Sequence, residues 1–490
     1  MLLCNVGHSF DYETEKVIRI FFPFEKITVI HELKAGDNTA LCEIVKDGAG
    51  TAARVTLNLF GKVEKERETV TAASEKELEL ALARCLYRCL TEITGYKSDW
   101  GILTGIRPAK LFSSLVSNNG VCFARERFKS DYLAAENKIS LCADTEESEK
   151  RIIATSKPES FSLYVSVPFC PSRCSYCSFV SHSVENAKDI IPEYLELLKE
   201  ELKYTARIVK DLKLKLQTVY VGGGTPTSIS ADQLKNLLFT IRENFDFSCV
   251  QEFTVEAGRP DTVDSLKLAA IKSAGATRIS INPQSMNDEV LKTIGRRHTA
   301  ADQKKAFSLA RQAGFDNINT DLIAGLPGDT PESFKETLKE ILSLNPESVT
   351  VHALSVKRAA NITRAGELPD MSVGTLAAQM VDYARQTLKG AGLSPYYMYR
   401  QSKTVGNLEN VGYAKKGYEG LYNVFIMDET HTVLACGASA VSKLKEPGGN
   451  NIERIFNFKY PYEYIKRFDE IIARKEGIKA YYDKYPVFNK

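Results

Sequence analysis

The residues whose spacing carries most chemistry are Cys170, Cys174 and Cys177. They lie in the stretch Phe161-Ser-Leu-Tyr164-Val-Ser166-Val-Pro168-Phe-Cys170-Pro-Ser-Arg-Cys174-Ser-Tyr176-Cys177-Ser178-Phe179. The first half is apolar and β-rich, so it reads as a buried strand that Pro168 ends. Three cysteines follow on one short loop at the spacing C-x3-C-x2-C. Three thiolates can hold three irons of a [4Fe–4S] cube and leave the fourth iron open to a small chelating ligand. The same loop also allows a zinc site, with His182 as a nearby fourth ligand, or three inert buried thiols.

Further reactive or ligand-binding residues recur downstream, each cluster just after an apolar run. They are Gly222-Gly223-Gly224-Thr225-Pro226-Thr227, Glu256-Ala-Gly258-Arg259-Pro260, Asn282-Pro283-Gln284-Ser285, Asp321-Leu-Ile-Ala-Gly325-Leu-Pro327-Gly328 and His352-Ala353-Leu354. A glycine triplet lets a ligand approach the backbone without Cβ interference. Glu256 and Asp321 can accept from ribose hydroxyls or an ammonium, and Gln284 can both donate and accept. Arg296, in Ile294-Gly295-Arg296-Arg297-His298, can pair with a carboxylate. The ordinary alternatives are tight turns, a packed Gln284, a satisfied core acid at Asp321 and solvated charges at Arg296 and Arg297. His298, His352 and His431 read as hydrogen-bonded structural histidines rather than ligands.

These clusters need elements that bring them together. After the cysteine loop the pattern predicts a helix over Ile191–Ile208, with Pro192 suited to its first turn. Strand Thr218–Val221 and a helix opened by the capping box Ser230/Gln233 come next. Strands Glu252–Val255, Thr277–Ile281, Asn317–Ile323 and Ser348–Leu354 follow, separated by helices. One of those carries Pro331 in its first turn, and the last covers Leu376–Leu388. Six strand–helix units imply parallel strands with right-handed crossovers, and a full eight-unit barrel would need two more. The expected class is therefore α/β, a partial (β/α)6 TIM-type barrel. All six clusters then sit at the carboxyl ends of strands, on one rim.

Residues 1–155 read as an N-terminal α+β domain. Val17–Ile30, Ala40–Val45 and Ala53–Leu59 look like strands. Ser74 and Glu77 form a capping box, and Leu78, Leu82, Cys85, Leu86 and Cys89 share a helical face, better read as core than as a metal site. Trp100–Pro108 is a loop of no legible role, and Glu146–Ser160 reads as a linker. The barrel is expected over 160–393. Residues 394–490 read as a C-terminal α+β extension closing it, with strands at Tyr396–Arg400, Tyr422–Met427 and Thr432–Ala435 and a helix at Tyr462–Lys475. A chain of 490 residues has room for such domains, and a net charge of +2 gives no reason to expect nucleic acid. No stretch is long enough to span a membrane, and the N-terminus lacks the regions of a signal peptide. Eleven scattered cysteines argue against a secreted disulfide framework. The expected location is the reducing cytoplasm.

In these residues the chain resembles radical S-adenosylmethionine (SAM) enzymes. More narrowly it is similar to the oxygen-independent coproporphyrinogen III oxidase group and its haem-chaperone relatives, over about residues 160 to 445. The resemblance rests on the cysteine loop with Leu163, Tyr164 and Tyr176, on Gly222–Thr227, on the Glu256, Gln284 and Arg296 segments, on Asp321–Gly328 and on Gly437-Ala-Ser439. The N-terminal domain, Gly406–Glu419 and Val351–Ala360 bring it nearest the long, coproporphyrinogen dehydrogenase-like branch.

The resemblance implies a [4Fe–4S] cluster on Cys170, Cys174 and Cys177. It implies one SAM site, or two adjoining ones, lined by Tyr164, Tyr176, Gly223, Gly224, Thr225, Glu256, Gln284, Arg296, Asp321, Ala353 and Val441. It further implies a tetrapyrrole substrate, a flavodoxin- or ferredoxin-type electron donor, and radical decarboxylation of propionates to vinyl groups. Lys357-Arg358 could meet substrate carboxylates, or form a solvated basic pair. Two departures bear on the reaction: Phe179 stands where the oxidase has a further cysteine, and Ser166 where it has histidine. The chaperone's His-Asn…Tyr-Trp segment corresponds here to Tyr422-Asn423-Val-Phe-Ile-Met427, which has no histidine.

Overall fold

A computed structural model describes every residue except 35, 48–49, 71–73, 106, 178–181, 356–370, 402 and 488–490. Phe179, Lys357 and Arg358 thus lie outside the described residues. The chain forms two compact units. One comprises Met1–Glu146, Pro369–Thr375 and Tyr399–Glu409; the other comprises Glu147–Leu368, Leu376–Met398 and Asn410–Lys490.

The first unit is built on strands β1 (Leu2–Val6), β2 (Thr28–Ile30), β3 (Thr39–Asp47), β4 (Gly50–Leu59) and β5 (Lys62–Val70), in the order β2-β1-β3-β4-β5. Helices α1 (Asp11–Phe21) and α2 (Glu75–Thr94) belong with this sheet; α3 (Pro108–Asn119), α4 (Val121–Ser130) and α5 (Glu136–Ile153) follow in sequence. The first five residues of the expected strand Val17–Ile30 close helix α1, and its last three, Thr28–Ile30, are strand β2. The buried residues of α1, Thr14, Val17, Ile18 and Phe21, recur at helical spacing once the polar residues before Val17 are included. The α2 capping box forms as expected, and Cys85 and Cys89 are buried in the core, where desolvation pushes both thiols up to about 12. The expected linker is α5 as far as Ile153, because Ile139, Cys142, Thr145, Ser148 and Ile152 form a buried stripe behind its charged face.

The second unit carries β6 (Ser160–Val167), β9 (Lys215–Gly223), β10 (Glu252–Glu256), β11 (Arg278–Ser280), β12 (Ile318–Ala324) and β13 (Ser348–Ala353). The short β7 (Phe169–Cys170) and β8 (His182–Ser183) lie beside the cysteine loop. The six longer strands pair in parallel in sequence order. The connections carry α6 (Val184–Ala187), α7 (Ile191–Asp211), α8 (Ala231–Asn244), α9 (Ser265–Ser273), α10 (Asp288–Thr293), α11 (Ala300–Gln312) and α12 (Pro331–Ser343). This is the expected radical SAM-type α/β core, a partial barrel of six units.

The C-terminal strands extend the same sheet at both edges. β14 (Ser394–Arg400) and β15 (Glu409–Ala414) lie beyond β13, with β15 antiparallel to it. β16 (Thr432–Cys436), β17 (Val441–Lys445) and β18 (Ile452–Phe456) lie beyond β6, with β16 parallel to it. The expected strand Tyr422–Met427 is instead a helix, Leu421–Asp428; its residues are too uniformly apolar to display a period. The expected helix Tyr462–Lys475 is two helices, Pro461–Lys466 and Phe468–Lys484, parted at Arg467, whose backbone is not helical.

Strand residues alternate strictly in character. Leu163, Val165, Val219, Val221, Phe253, Val255 and Ile279 join the core with Leu198, Leu202, Leu238 and Ile271 of the helices. The residues between them face the other side: Ser162, Tyr164, Ser166, Thr218, Tyr220, Glu252, Thr254, Glu256, Arg278, Ser280, Asn319, Asp321, Thr350 and His352. Period two therefore lines the barrel with polar side chains.

Candidate functional site

The cysteine loop is clamped on two sides. From β9, Gly224 N–H donates to Val167 O (2.8 Å), Thr225 N–H to Phe169 O (2.7 Å), and Ser228 Oγ to Phe169 O (3.1 Å). Gly223 has φ +105°; a Cβ there would lie 2.7 Å from Ser166 Oγ, and one on Gly224 would lie 2.6 Å from Phe169 O. At Gly223 and Gly224 the space a Cβ would take belongs to the strand carrying the cysteines, while at Gly222 it is closed by the side chains of Tyr220 and Glu256. On the other side, Ser175 N–H donates to Ile294 O (3.0 Å), and Arg259 donates to Ser172 O (3.3 Å) and Ser172 Oγ (3.1 Å).

Side chains from two strand ends donate to the sulfurs: Thr225 Oγ1 to Cys170 Sγ (3.5 Å) and Arg259 Nη1 to Cys174 Sγ (3.6 Å). Among the described residues no three His, Cys, Asp or Glu side chains are gathered closely enough to hold a metal ion. The donor set nevertheless fits an iron–sulfur cluster better than zinc. Three cysteines are one ligand short of a closed zinc site, and His182, the nearby candidate, sets its ring against Tyr460 (6.4 Å) and Tyr462 (6.3 Å).

The rim acids are held in opposite states. Burial pushes Glu256 up to about 7, with Asp321 adding to the rise, although Tyr220 OH donates to Glu256 Oε1 at 2.5 Å. Burial also pushes Asp321 up, but the neighbouring His352 ring and the Asn319 amide outweigh it and hold that carboxyl below the usual range. Asn319 Nδ2 lies 2.7 Å from Asp321 Oδ1, and His352 Nε2 is 3.8 Å from Oδ2. Two neighbouring carboxylates whose environments push them apart can serve different roles.

Gln284 adopts φ +73°, rare for a non-glycine residue, and is locked into the β12 edge: its N–H donates to Asp321 O and its carbonyl accepts from Ile323 N–H, both at 3.0 Å. Its buried Oε1 has no hydrogen-bond partner among the described residues. Arg296 is not a solvated charge. It donates to Gly258 O (3.2 Å), Asn282 O (2.8 Å) and Tyr176 OH (3.0 Å), tying the cysteine loop to strand ends β10 and β11. Arg297 does remain at the surface, paired with Glu185. Ala353 ends β13 with its N–H on Asn410 Oδ1 (3.1 Å). Val441 opens β17 opposite Phe456, and no described contact joins it to the others.

Sequence reasoning missed the residues that brace the site. Tyr164 stacks with Tyr220 and with Tyr422, and Tyr220 with Tyr422, at ring separations of 6.2, 6.3 and 4.6 Å. Glu252, at the opposite strand end, accepts from Leu421 N–H (2.6 Å) and so seats the helix that carries Tyr422. Buried Glu201 accepts from Gly437 N–H (2.8 Å), Tyr464 OH (2.7 Å) and Lys475 Nζ (3.0 Å). Tyr194 OH donates to Ser166 O (3.0 Å) and accepts from Ala438 N–H (2.8 Å), so the Gly437-Ala-Ser turn is tied to the strand before the cysteines. Only Tyr220 was findable beforehand, two residues before Gly222 and in phase with Thr218 on an alternating strand. His431, between Ser156 and Ser162, is pushed down to about 3 by burial and is neutral, as a structural histidine should be.

Comparisons with known proteins agree with this geometry. The model of the radical SAM superfamily matches residues 164–341. The chain is 38% identical over 404 residues, covering 82% of itself and 81% of its relative, to the oxygen-independent coproporphyrinogen-III oxidase-like protein HemZ of Bacillus subtilis. This chain belongs to the radical SAM superfamily, in its coproporphyrinogen oxidase-like family. A heme chaperone, HemW of Haemophilus influenzae, is 33% identical over 309 residues, 62% of this chain and 76% of that one. Among solved structures, the coproporphyrinogen III oxidase HemN of Escherichia coli superposes with a TM-score of 0.52 at 24% identity, over 65% of this chain and 71% of that one. As a radical SAM protein, the chain uses a [4Fe–4S] cluster and SAM. Among the described residues no helix is long and apolar enough to cross a membrane.

Proposed function

We propose that this protein is a radical SAM oxidoreductase that decarboxylates propionates of coproporphyrinogen III to vinyl groups. Cys170, Cys174 and Cys177 hold the cluster. The barrel rim, from Tyr164 and Tyr176 through Gly223, Gly224, Thr225, Glu256, Gln284, Arg296, Asp321 and Ala353, with Val441 from the C-terminal strands, holds SAM. The carrying observation is that one rim joins the cysteine loop, through Arg296 and Thr225, to an ionised acid, an acid poised near neutrality and an unpartnered buried acceptor.

When bound, the cluster and SAM together supply one-electron cleavage of the sulfonium and a carbon radical able to abstract hydrogen. The chain's own residues do the rest. Thr225 and Arg259 donate to sulfurs of the loop, and Arg296 fixes Tyr176 beside it. Asp321, ionised, accepts from hydroxyls, and Gln284 Oε1 takes a donor that it lacks in the free protein. The electron comes from a small flavodoxin- or ferredoxin-type donor, and the working place is the cytoplasm.

A second reading, a haem-binding chaperone that holds SAM without turnover, is favoured by the HemW likeness. Against it, Tyr422 stands where the chaperone segment has histidine, and its ring is buried in the stack with Tyr164 and Tyr220. Anaerobic reconstitution with reductant, SAM and coproporphyrinogen III tests both. Turnover yields 5′-deoxyadenosine coupled to loss of two carboxyl groups. Stoichiometric haem binding without SAM cleavage supports the chaperone; a methylated or ring-opened tetrapyrrole points to another radical reaction. Cys174→Ala removes the brown chromophore, and iron content unchanged in that variant refutes the ligand assignment.

A further inference from the structure

The first unit contains a pocket of about 380 Å³ that the barrel chemistry does not use. Its lining comes from Arg19–Glu25 at the end of α1, from Tyr96, from Gly374 and from Lys403–Asn407. Aromatic surface dominates one wall: Phe21, Phe22, Phe24 and Tyr96 all contribute, with Phe21 and Tyr96 edge-on at 5.7 Å. The rest of the lining includes a loop in an unusual backbone state. Lys403 (φ +63°) and Asn407 (φ +55°) are left-handed despite carrying Cβ atoms. Gly406 (φ +63°) has room for none, since a Cβ there would lie 2.8 Å from Gly374 O. Left-handed non-glycine residues cluster where a structure holds a loop in place for a ligand. Tyr96 OH pins this loop by donating to Gly406 O (3.1 Å).

Two polar groups in the lining lack an acceptor or an ion-pair partner among the described residues. Asn407 Nδ2 is buried and donates to nothing among the described residues. Lys403 makes no ion pair among them either; its ammonium stands 5.8 Å from the Phe24 ring centre. The other charges are already matched, Arg19 by Glu15 (2.7 Å) and Glu25 by the Met1 amino group (3.0 Å). A buried donor without an acceptor costs free energy that an acceptor on a ligand would recover. One uncompensated cation calls for one negative charge.

We propose that this pocket binds a small planar aromatic monoanion. Its ring lies against the phenylalanine and tyrosine wall, its carboxylate meets Lys403, and an acceptor atom takes the Asn407 amide proton. The volume is at the small end of ligand clefts, which run to about 1,000 Å³, so one or two fused rings fit and a macrocycle does not. Among the described residues Lys403 is the one lining cation without an ion pair, so a dianion would exceed it and an uncharged ligand would leave it unmatched. The proposal is independent of the radical chemistry.

Calorimetric titration of the full chain with naphthalene-2-carboxylate, and with neutral 2-naphthamide as its near-isostere, tests it. The carboxylate saturates one site and binds about tenfold more tightly than the amide, a difference on the order expected for one partly buried charge pair. Lys403→Gln erases that preference and leaves the amide's affinity within about twofold, because only the charge term is removed. Asn407→Gly, which keeps the left-handed backbone, weakens both probes. Circular dichroism and thermal melting confirm that each variant is folded. Absence of saturable carboxylate binding, or a carboxylate preference that survives Lys403→Gln, overturns the proposal; unchanged affinity in Asn407→Gly overturns the role of that amide.

Discussion

Glu256 is the residue on which the rim turns. Its pKa is raised to about 7 chiefly by burial, so its charged form is disfavoured in the fold. The sign follows: stability conferred by the protonated form is full below the unfolded value near 4.5 and is lost as pH rises through about 7. Glu256→Gln therefore stabilises the protein at pH 8 by ~1–3 kcal/mol and changes little at pH 4, which melting curves at the two pH values measure. The hydroxyl of Tyr220 lowers Glu256 towards its ordinary value by donating to it. Tyr220→Phe accordingly moves the pH midpoint of SAM binding to higher pH. A midpoint that stays in place would mean that Glu256 does not titrate in the binding step.

The element that matters most is the turn after β9. Its backbone amides hold Val167 and Phe169, and its missing Cβ atoms let the two strand ends touch. Gly224→Ala puts a carbon 2.6 Å from Phe169 O, a backbone atom that cannot swing aside. We expect ~1–3 kcal/mol of destabilisation, of the size that overpacking costs, together with poor iron loading in a chain that remains folded. Melting temperature and iron content measured on the same sample separate the two effects. The turn's conspicuous glycines would suit a ligand cradle equally well in the sequence. Which atoms fill the vacated space depends on a strand some fifty residues earlier, and local spacing carries no record of that.

At the scale of the whole molecule, the C-terminal segment is part of the barrel's construction. β16 pairs with β6, the Leu421–Asp428 helix rests on Glu252, and Lys475 is buried against Glu201 of α7. Replacing one member of a fully buried ion pair strands the other. Glu201→Gln therefore costs ~3–5 kcal/mol in chemical denaturation, while the double variant Glu201→Gln/Lys475→Met recovers much of that loss. Recovery would be absent if the two residues acted independently.

Sequence alone was enough for everything that depends on local order. The six strand–helix units, the capping boxes at Ser74 and Ser230, the proline-led helices and the three-cysteine loop all follow from periodicity and spacing within a few turns of chain. It erred where local signal was ambiguous, reading the last turns of α1 and the Leu421–Asp428 helix as strands because short, mostly apolar runs show no clear period. Only the tertiary structure decided which polar residues meet. Glu201 with Gly437, Glu252 with Leu421, Tyr164 with Tyr422 and Asn407 beside an aromatic wall are all pairings across long stretches of chain. Burial and neighbours set the charge state of Glu256 and Asp321, and both are properties of the folded surroundings.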